Sequence, residues 1–205
     1  MKSYDALLVD AGTGNLHSVY NTLQILGYSI LITSNPSDLK EVGRVILPGV
    51  GAFSKFMQGL QERGFIEALK HKAQQGDPFL GICVGMQAML SSSEEMGKHA
   101  GLDLLPGRVI RFLDFSDLKV PHTGWNQLWF HRRSQFTQDL QSGCYAYFNH
   151  SYYCQPDQPL DVIAQTDYGI DFASIIQHDN LIGVQFHPEK SQHIGQKILD
   201  NFFKI

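Results

Sequence analysis

Pro78-Phe79-Leu80-Gly81-Ile82-Cys83-Val84-Gly85-Met86-Gln87-Ala88-Met89-Leu90 is the stretch on which the fold turns. It reads as strand, sharp turn and helix. A short apolar run opened by a proline suits a buried strand, and Val84, Gln87 and Ala88 then fall at helical spacing. Cys83 stands on the turn between them. Glycines two residues to either side, Gly81 and Gly85, give the pattern of a nucleophile elbow with sulfur in place of the usual hydroxyl. So tight a turn strains the backbone of the central residue and brings its neighbours too close for a Cβ. It also aims Cys83 at a helix N-terminus, where unpaired N–H groups favour a thiolate and make the N–H of Val84 an oxyanion donor.

A second stretch makes the cysteine more than a small buried hydrophobe. Gly183-Val184-Gln185-Phe186-His187-Pro188-Glu189-Lys190 reads as a strand whose end delivers a histidine and, two residues on, a carboxylate. Pro188 cannot continue a strand ladder, so the chain leaves the sheet there with His187 and Glu189 in fixed relation. A carboxylate selects the imidazole tautomer and stabilises the imidazolium that forms when the ring takes a thiol proton. His-Pro-Glu alone would read as a surface histidine beside a solvated acid; alongside a Gly-x-Cys-x-Gly it reads as the base and its orienter.

Working back from the elbow, residues 4–11 form an apolar strand, followed by a turn at Gly12-Thr13-Gly14-Asn15. A helix then carries Leu16, Val19, Tyr20, Leu23 and Leu26 on one face. His17 stands where a dinucleotide fingerprint needs its third glycine, which excludes a nicotinamide or flavin site of that kind. Ile30–Thr33 and Arg44–Leu47 are further strands, the latter leading into Pro48-Gly49-Val50-Gly51-Ala52-Phe53. Gly49, Val50 and Gly51 lie at the carboxyl edge of the expected sheet, where their backbone N–H groups can supply a second oxyanion donor. Phe53–Gln75 is helical with a break near Gly64. Strands alternating with helices predict a mostly parallel sheet with helices on both faces.

Beyond the elbow the texture changes. Ser91-Ser92-Ser93-Glu94-Glu95 and a turn-rich span to Gly107 precede a strand at Arg108–Phe112. Strand-like runs follow at Gln127–Phe130, Cys144–Cys154, Val162–Thr166, Phe172–Gln177 and Leu181–Phe186. The last two join through a hairpin turn at His178-Asp179-Asn180, and an amphipathic helix from Gln192 to Phe203 closes the chain.

Composition sets the outer limits. At 205 residues, 43% hydrophobic and 18% charged, the chain reads as one domain over residues 1–205 with a large core. A formal net charge of −4 speaks against a nucleic-acid binder. His131-Arg132-Arg133 is the one dense basic cluster and suits a solvated loop. No run is apolar enough to span a bilayer and the N-terminus lacks a signal-peptide pattern, so a cytoplasmic location is expected. Three cysteines, Cys83, Cys144 and Cys154, make no even disulfide set, and no ligand spacing suggests a metal. No cofactor is expected, and Cys144 and Cys154 read as structural.

Gly-Ile-Cys-Val-Gly-Met-Gln at 81–87 and Val-Gln-Phe-His-Pro-Glu-Lys-Ser at 184–191 resemble the class I (triad) glutamine amidotransferases, nearly end to end. Gly14-Asn15-Leu16, Pro121-His122-Thr123-Gly124-Trp125-Asn126 and Asn149-His150-Ser151-Tyr152-Tyr153 narrow the resemblance to the glutaminase subunits (HisH) of imidazole glycerol phosphate synthase. The resemblance implies a flavodoxin-like three-layer α/β sandwich with antiparallel strands in its second half. It implies that Cys83 attacks the glutamine side-chain amide, His187 shuttles the proton and Glu189 orients His187. Val84 and the Gly49, Val50 and Gly51 loop would hold the oxyanion, and Gln87, Glu95, Ser151 and Tyr152 the glutamine. Trp125, Asn126 and Lys190 would face a partner, a HisF-type TIM-barrel cyclase subunit that receives the ammonia in a heterodimer. Ala11, Thr123 and Val84 depart from the subunit's usual residues and leave a paralogue, feeding ammonia to another synthase, as the alternative.

Overall fold

Along the chain, β1 (Ala6–Val9), α1 (Leu16–Ile25), β2 (Ile30–Thr33), β3 (Val45–Gly49), α2 (Phe53–Glu62), α3 (Phe65–Gln74), β4 (Phe79–Cys83) and α4 (Val84–Ala88) alternate as the sequence pattern requires. Then come β5 (Leu90–Ser93), β6 (His99–Ala100), β7 (Leu105–Arg111), β8 (His122–Phe130), β9 (Cys144–His150) and β10 (Tyr152–Pro156). The strands β11 (Val162–Asp167), β12 (Asp171–His178) and β13 (Leu181–Val184) follow, and α5 (Gln192–Phe202) ends the fold. The computed structural model describes residues 4–113 and 118–205.

Among the described residues, nine strands form one sheet in the order β2-β1-β3-β4-β13-β12-β11-β8-β9. From β2 to β13 neighbouring strands are parallel. From β13 to β9 they are antiparallel. β1, β3, β4 and β13 are buried at every position, because a strand covered on both faces has no position to offer water. At the antiparallel edge β9 alternates instead, and on β8 Leu128 is buried between half-buried and exposed neighbours. α1 packs with α5, while α2 packs with α3 and α4, giving the two helical layers of the three-layer α/β sandwich.

The structure corrects the sequence reading between residues 90 and 156. The elbow helix is only five residues long and passes straight into β5. The serine run after the elbow is β5, and the span read as turn-rich contains β6 and the start of β7; with β10 these strands build a second sheet in the order β10-β7-β5-β6. Ser91–Ser93 is too polar to signal a strand, but pairing with β7 buries Ser93 completely. The run from Cys144 to Cys154 is two strands in two different sheets, divided at Ser151. Strand β8 begins at His122, five residues before the Gln127–Phe130 run. The two sheets meet where Phe112 and Tyr153 pack on Phe172 of β12, at ring-centroid distances of 5.3 and 6.1 Å.

Candidate active site

β4 lies between β3 and β13, with Gly49 opposite Cys83 on one side and Val184 opposite Ile82 on the other. All three strands run the same way, so their carboxyl ends deliver the Gly49–Gly51 loop, Cys83 and His187 to one edge of the sheet. The backbone of Cys83 is at φ 54°, ψ −112°. For a residue with a Cβ this is a strained conformation costing about 1–3 kcal/mol, and it turns the strand into α4 without an intervening loop. The glycines are required by space. A Cβ on Gly85 would lie 1.8 Å from the carbonyl oxygen of Leu47, and one on Gly81 would lie 2.8 Å from that of Gly85. Gly49 is equally confined, 2.7 Å from the backbone nitrogen of Gly85.

His187 is buried beside Cys83. Its Nδ1 donates to Glu189 Oε1 at 2.9 Å, which leaves Nε2 for the Cys83 thiol, the ring's other hydrogen-bond partner. Burial pushes the imidazolium towards neutrality, but the hydrogen bonds and charges of Cys83 and Glu189 together outweigh it and raise the His187 pKa to about 10. The side chain of Glu189 is 1% exposed. The turn is pinned by Ser191, whose hydroxyl donates to the His187 carbonyl at 2.7 Å and accepts the Tyr147 N–H at 2.9 Å. The His187 N–H donates in turn to the Tyr147 carbonyl at 2.9 Å.

Cys83 and His187 open onto a cleft of about 470 Å³. Val84, Val50, Gly51, Gln87, Glu95, Ser151, Tyr152 and Lys190 share its wall, so the cleft gathers most of the residues singled out from sequence. Glu95 does a second thing there. Its Oε2 accepts the N–H of Phe53 at 2.5 Å, capping α2 where the N-cap residue, Ala52, has no side-chain acceptor. One carboxylate thus ties the cleft floor to the helix that follows the Gly49–Gly51 loop. Lys190 lies over the ring of Tyr147 at 5.6 Å.

Trp125 and Asn126 are not part of this wall. Trp125 is on β8, 47% exposed, with its ring edge-on to Tyr147 at 6.0 Å. Asn126 is committed to the fold, donating from Nδ2 to the Asp167 carbonyl at 2.9 Å and lying 3.3 Å from His122 Nε2. Sequence reasoning gave no role to Gln185, whose Nε2 lies 3.8 Å from Cys83 Sγ. It stands just past the end of β13, two residues before His187, and in the extended stretch read from sequence such a spacing puts both on one face, which was the available signal. Asn15, Asn149 and His150 also line the cleft. The thiols of Cys144 and Cys154 are pushed up by burial, which suits inert packing.

A strained cysteine, a buried histidine and a carboxylate at one sheet edge are a hydrolytic arrangement found on more than one fold, and comparison with known proteins decides which this is. The family model described as glutamine amidotransferase class-I matches residues 7–205. The chain belongs to the class-I glutamine amidotransferases. This amidotransferase is 45% identical over 200 residues to the imidazole glycerol phosphate synthase subunit HisH of Geobacter metallireducens, covering 95% of each chain. It is 47% identical over 198 residues to the subunit of the same name from Moorella thermoacetica, covering 97% of this chain and 93% of that one. Among solved structures, a glutamine amidotransferase superposes with a TM-score of 0.76 at 16% identity, covering 97% of both chains. PurLQS of Thermotoga maritima superposes with a TM-score of 0.75, again at 16% identity and 97% of both chains. Both share the amidotransferase's fold. Among the described residues no helix is long and apolar enough to cross a membrane.

Proposed function

We propose that this chain is the glutaminase subunit of imidazole glycerol phosphate synthase, working in the cytoplasm as a heterodimer with a HisF-type TIM-barrel cyclase. The observation that carries the chemistry is the strained Cys83 beside a buried His187 that is held at 2.9 Å by Glu189. The near full-length identity to HisH subunits supports the pathway.

In this reading His187 takes the Cys83 proton at Nε2, and the thiolate attacks the side-chain amide carbonyl of glutamine. The oxyanion that forms is met by the N–H of Val84, one of the free donors at the start of α4, and by backbone of the Gly49–Gly51 loop. Gln87, Glu95, Ser151 and Tyr152 hold the amino-acid end, with Glu95 presenting a carboxylate to its ammonium. As the tetrahedral intermediate collapses, the imidazolium returns its proton to the departing nitrogen, and ammonia leaves behind a γ-glutamyl thioester on Cys83. Water then gives a proton to His187 and attacks the thioester; glutamate departs and the thiol is restored. Glu189 keeps Nδ1 protonated throughout and offsets the charge on the ring. Trp125, Asn126 and Lys190 are assigned to the partner face, across which ammonia passes to the cyclase. There it is built into imidazole glycerol phosphate with release of the aminoimidazole carboxamide ribonucleotide.

The test is glutamate release from glutamine by the purified chain, alone and with a HisF-type cyclase loaded with its ribonucleotide ligand. The expected result is strong stimulation by the loaded cyclase, lost in Cys83→Ala. Turnover that ignores the cyclase would move the chain to a paralogous synthase and leave the glutaminase chemistry in place.

A further inference from the structure

We infer that Gln185 is a further catalytic residue, whose amide N–H donates to the Cys83 sulfur and steadies it as the charged nucleophile, and that Gln87, anchored on the Tyr152 carbonyl, sets which end of the Gln185 amide faces the sulfur. The inference deepens the glutaminase reading and rests on it for the role of Cys83.

Gln185 is fully buried. Its Nε2 is 3.8 Å from Cys83 Sγ and its Oε1 accepts Gln87 Nε2 at 3.1 Å. An amide reversed at this position would set an oxygen against the thiolate, so its orientation decides whether it stabilises or repels the charge. That orientation follows from its neighbours. Gln87 Nε2 donates to Oε1 of Gln185 and also to the Tyr152 carbonyl at 3.0 Å, which uses both of its N–H bonds. Turning the Gln87 amide over would put oxygen against two acceptors.

The Tyr152 carbonyl also receives His150 Nδ1 at 2.8 Å. A carbonyl only accepts, so Nδ1 carries the proton and His150 Nε2 is a lone pair. His122 Nδ1, 3.1 Å from that lone pair, is therefore the donor, and its own Nε2 accepts Asn126 Nδ2 at 3.3 Å. Asn126 is fixed by backbone at both ends, through Nδ2 to the Asp167 carbonyl and through Oδ1 to the Gln127 N–H at 2.8 Å. These bonds run one way from Asn126 to the Tyr152 carbonyl, which accepts from His150 on one side and from Gln87 on the other. The line requires both histidines to be neutral, and burial holds them so, lowering His122 to about 4 and His150 to about 3. His187 and the buried Cys154 feel the charge on Cys83, and Glu95 and Lys190 stand on the wall of the same cleft; Gln185 adds a donor that does not titrate. No atom is transferred through Gln185; the thiol proton still goes to His187.

The experiment measures the rate of Cys83 alkylation by iodoacetamide against pH in the full-length protein, by peptide mass spectrometry, with kcat and KM for glutamate release measured in parallel. Gln185→Met, which keeps the length and removes the donor, is expected to slow alkylation near pH 7 by about 10- to 100-fold, the usual worth of a hydrogen bond to a charged group. The rate should recover towards the parent's at high pH, and kcat should fall while KM stays within about twofold, as befits an interaction that acts on the nucleophile. Gln87→Leu, which leaves the Gln185 amide free to turn over, should shift the profile in the same direction by less. A Gln185→Met protein with the parent's near-UV circular dichroism and an unchanged alkylation profile overturns the inference. So does a loss of rate that is the same at every pH, since that is what a merely structural residue gives. The expected alkylation shifts in a protein that releases no glutamate with any cyclase would uphold Gln185 as the donor to Cys83 and remove the glutaminase reading.

Discussion

At Cys83 the chain accepts a backbone that most residues avoid, φ 54° and ψ −112°, and the surrounding glycines make it possible. This was legible from the letters alone, because only a turn of that severity needs glycine on both flanks. The pairing of His187 with Glu189 was legible for the same kind of reason: a proline between them leaves little freedom. Their mutual effect is measurable. The His187 pKa is raised from 6.5 to about 10 with Cys83 and Glu189 as the favourable partners. The stabilisation from the charged ring is therefore complete below pH 6.5 and lost as pH rises through about 10. Glu189→Gln removes one of the two partners, so the alkaline limb of the pH–rate profile should move to lower pH. The rate should fall by roughly 10²- to 10⁴-fold, the range for impaired acid–base catalysis. An alkaline limb that stays in place in steady-state glutamate release would show that Glu189 does not set the ionisation of the ring. Gln185 was legible only as a neighbour two residues from His187; its partners, Cys83 and Gln87, come from elsewhere in the chain and give it its role only in the fold.

Elements, more than single residues, determine where the loops stand. α4 is five residues long and touches β3 and β4 so closely that Gly85 has no room for a methyl group: its Cβ would meet the Leu47 oxygen at 1.8 Å. Gly85→Ala should therefore push β3 and α4 apart and cost more than about 4 kcal/mol, the level reserved for severe overpacking or backbone clash. Chemical denaturation reads this directly; a loss under 1 kcal/mol would mean that the elbow can relax. α2 is held differently, by the carboxylate of Glu95 on the Phe53 N–H. Glu95→Ala should cost about 1 kcal/mol as a lost cap, a drop of about 2–4 °C in Tm for a chain of this length. It should also raise KM for glutamine at least about tenfold if the same group binds the substrate ammonium. Equal KM values in wild type and variant would confine Glu95 to the cap. The elements that escaped the sequence were those whose partners supply the apolar contacts. β5 is a leucine and three serines, and the β9 and β10 strands have only Ser151 between them although they belong to different sheets.

For the molecule as a whole, what joins the two sheets is a cluster of rings enclosing two histidines. His122 and His150 are 3% and 6% exposed, with Phe148, Phe112, Phe172 and Tyr168 packed around them. Burial lowers the two pKa values to about 4 and about 3, so the folded protein stays neutral at both while the unfolded chain takes up protons from pH 6.5 downward. Between pH 6.5 and about 4 the unfolded state binds more protons, and stability must fall as pH falls. Each histidine contributes a slope that reaches about 1.4 kcal/mol per pH unit at its steepest. The unfolding free energy from urea titrations should thus drop steeply between pH 6.5 and 4.5, and His150→Phe, which removes one of the titrating groups, should flatten that drop while lowering stability at pH 7. The loss should begin at the junction of the sheets, because protonating His150 sets two donors against each other at His122 and protonating His122 sets two against each other at Asn126, and either expels the pair from its aromatic surroundings. Hydrogen exchange of β7 and β10 amides should then accelerate before that of β1, β3 and β4. An unfolding free energy that is level from pH 7 to 4.5 would show that acid reaches and solvates the pair without opening the junction.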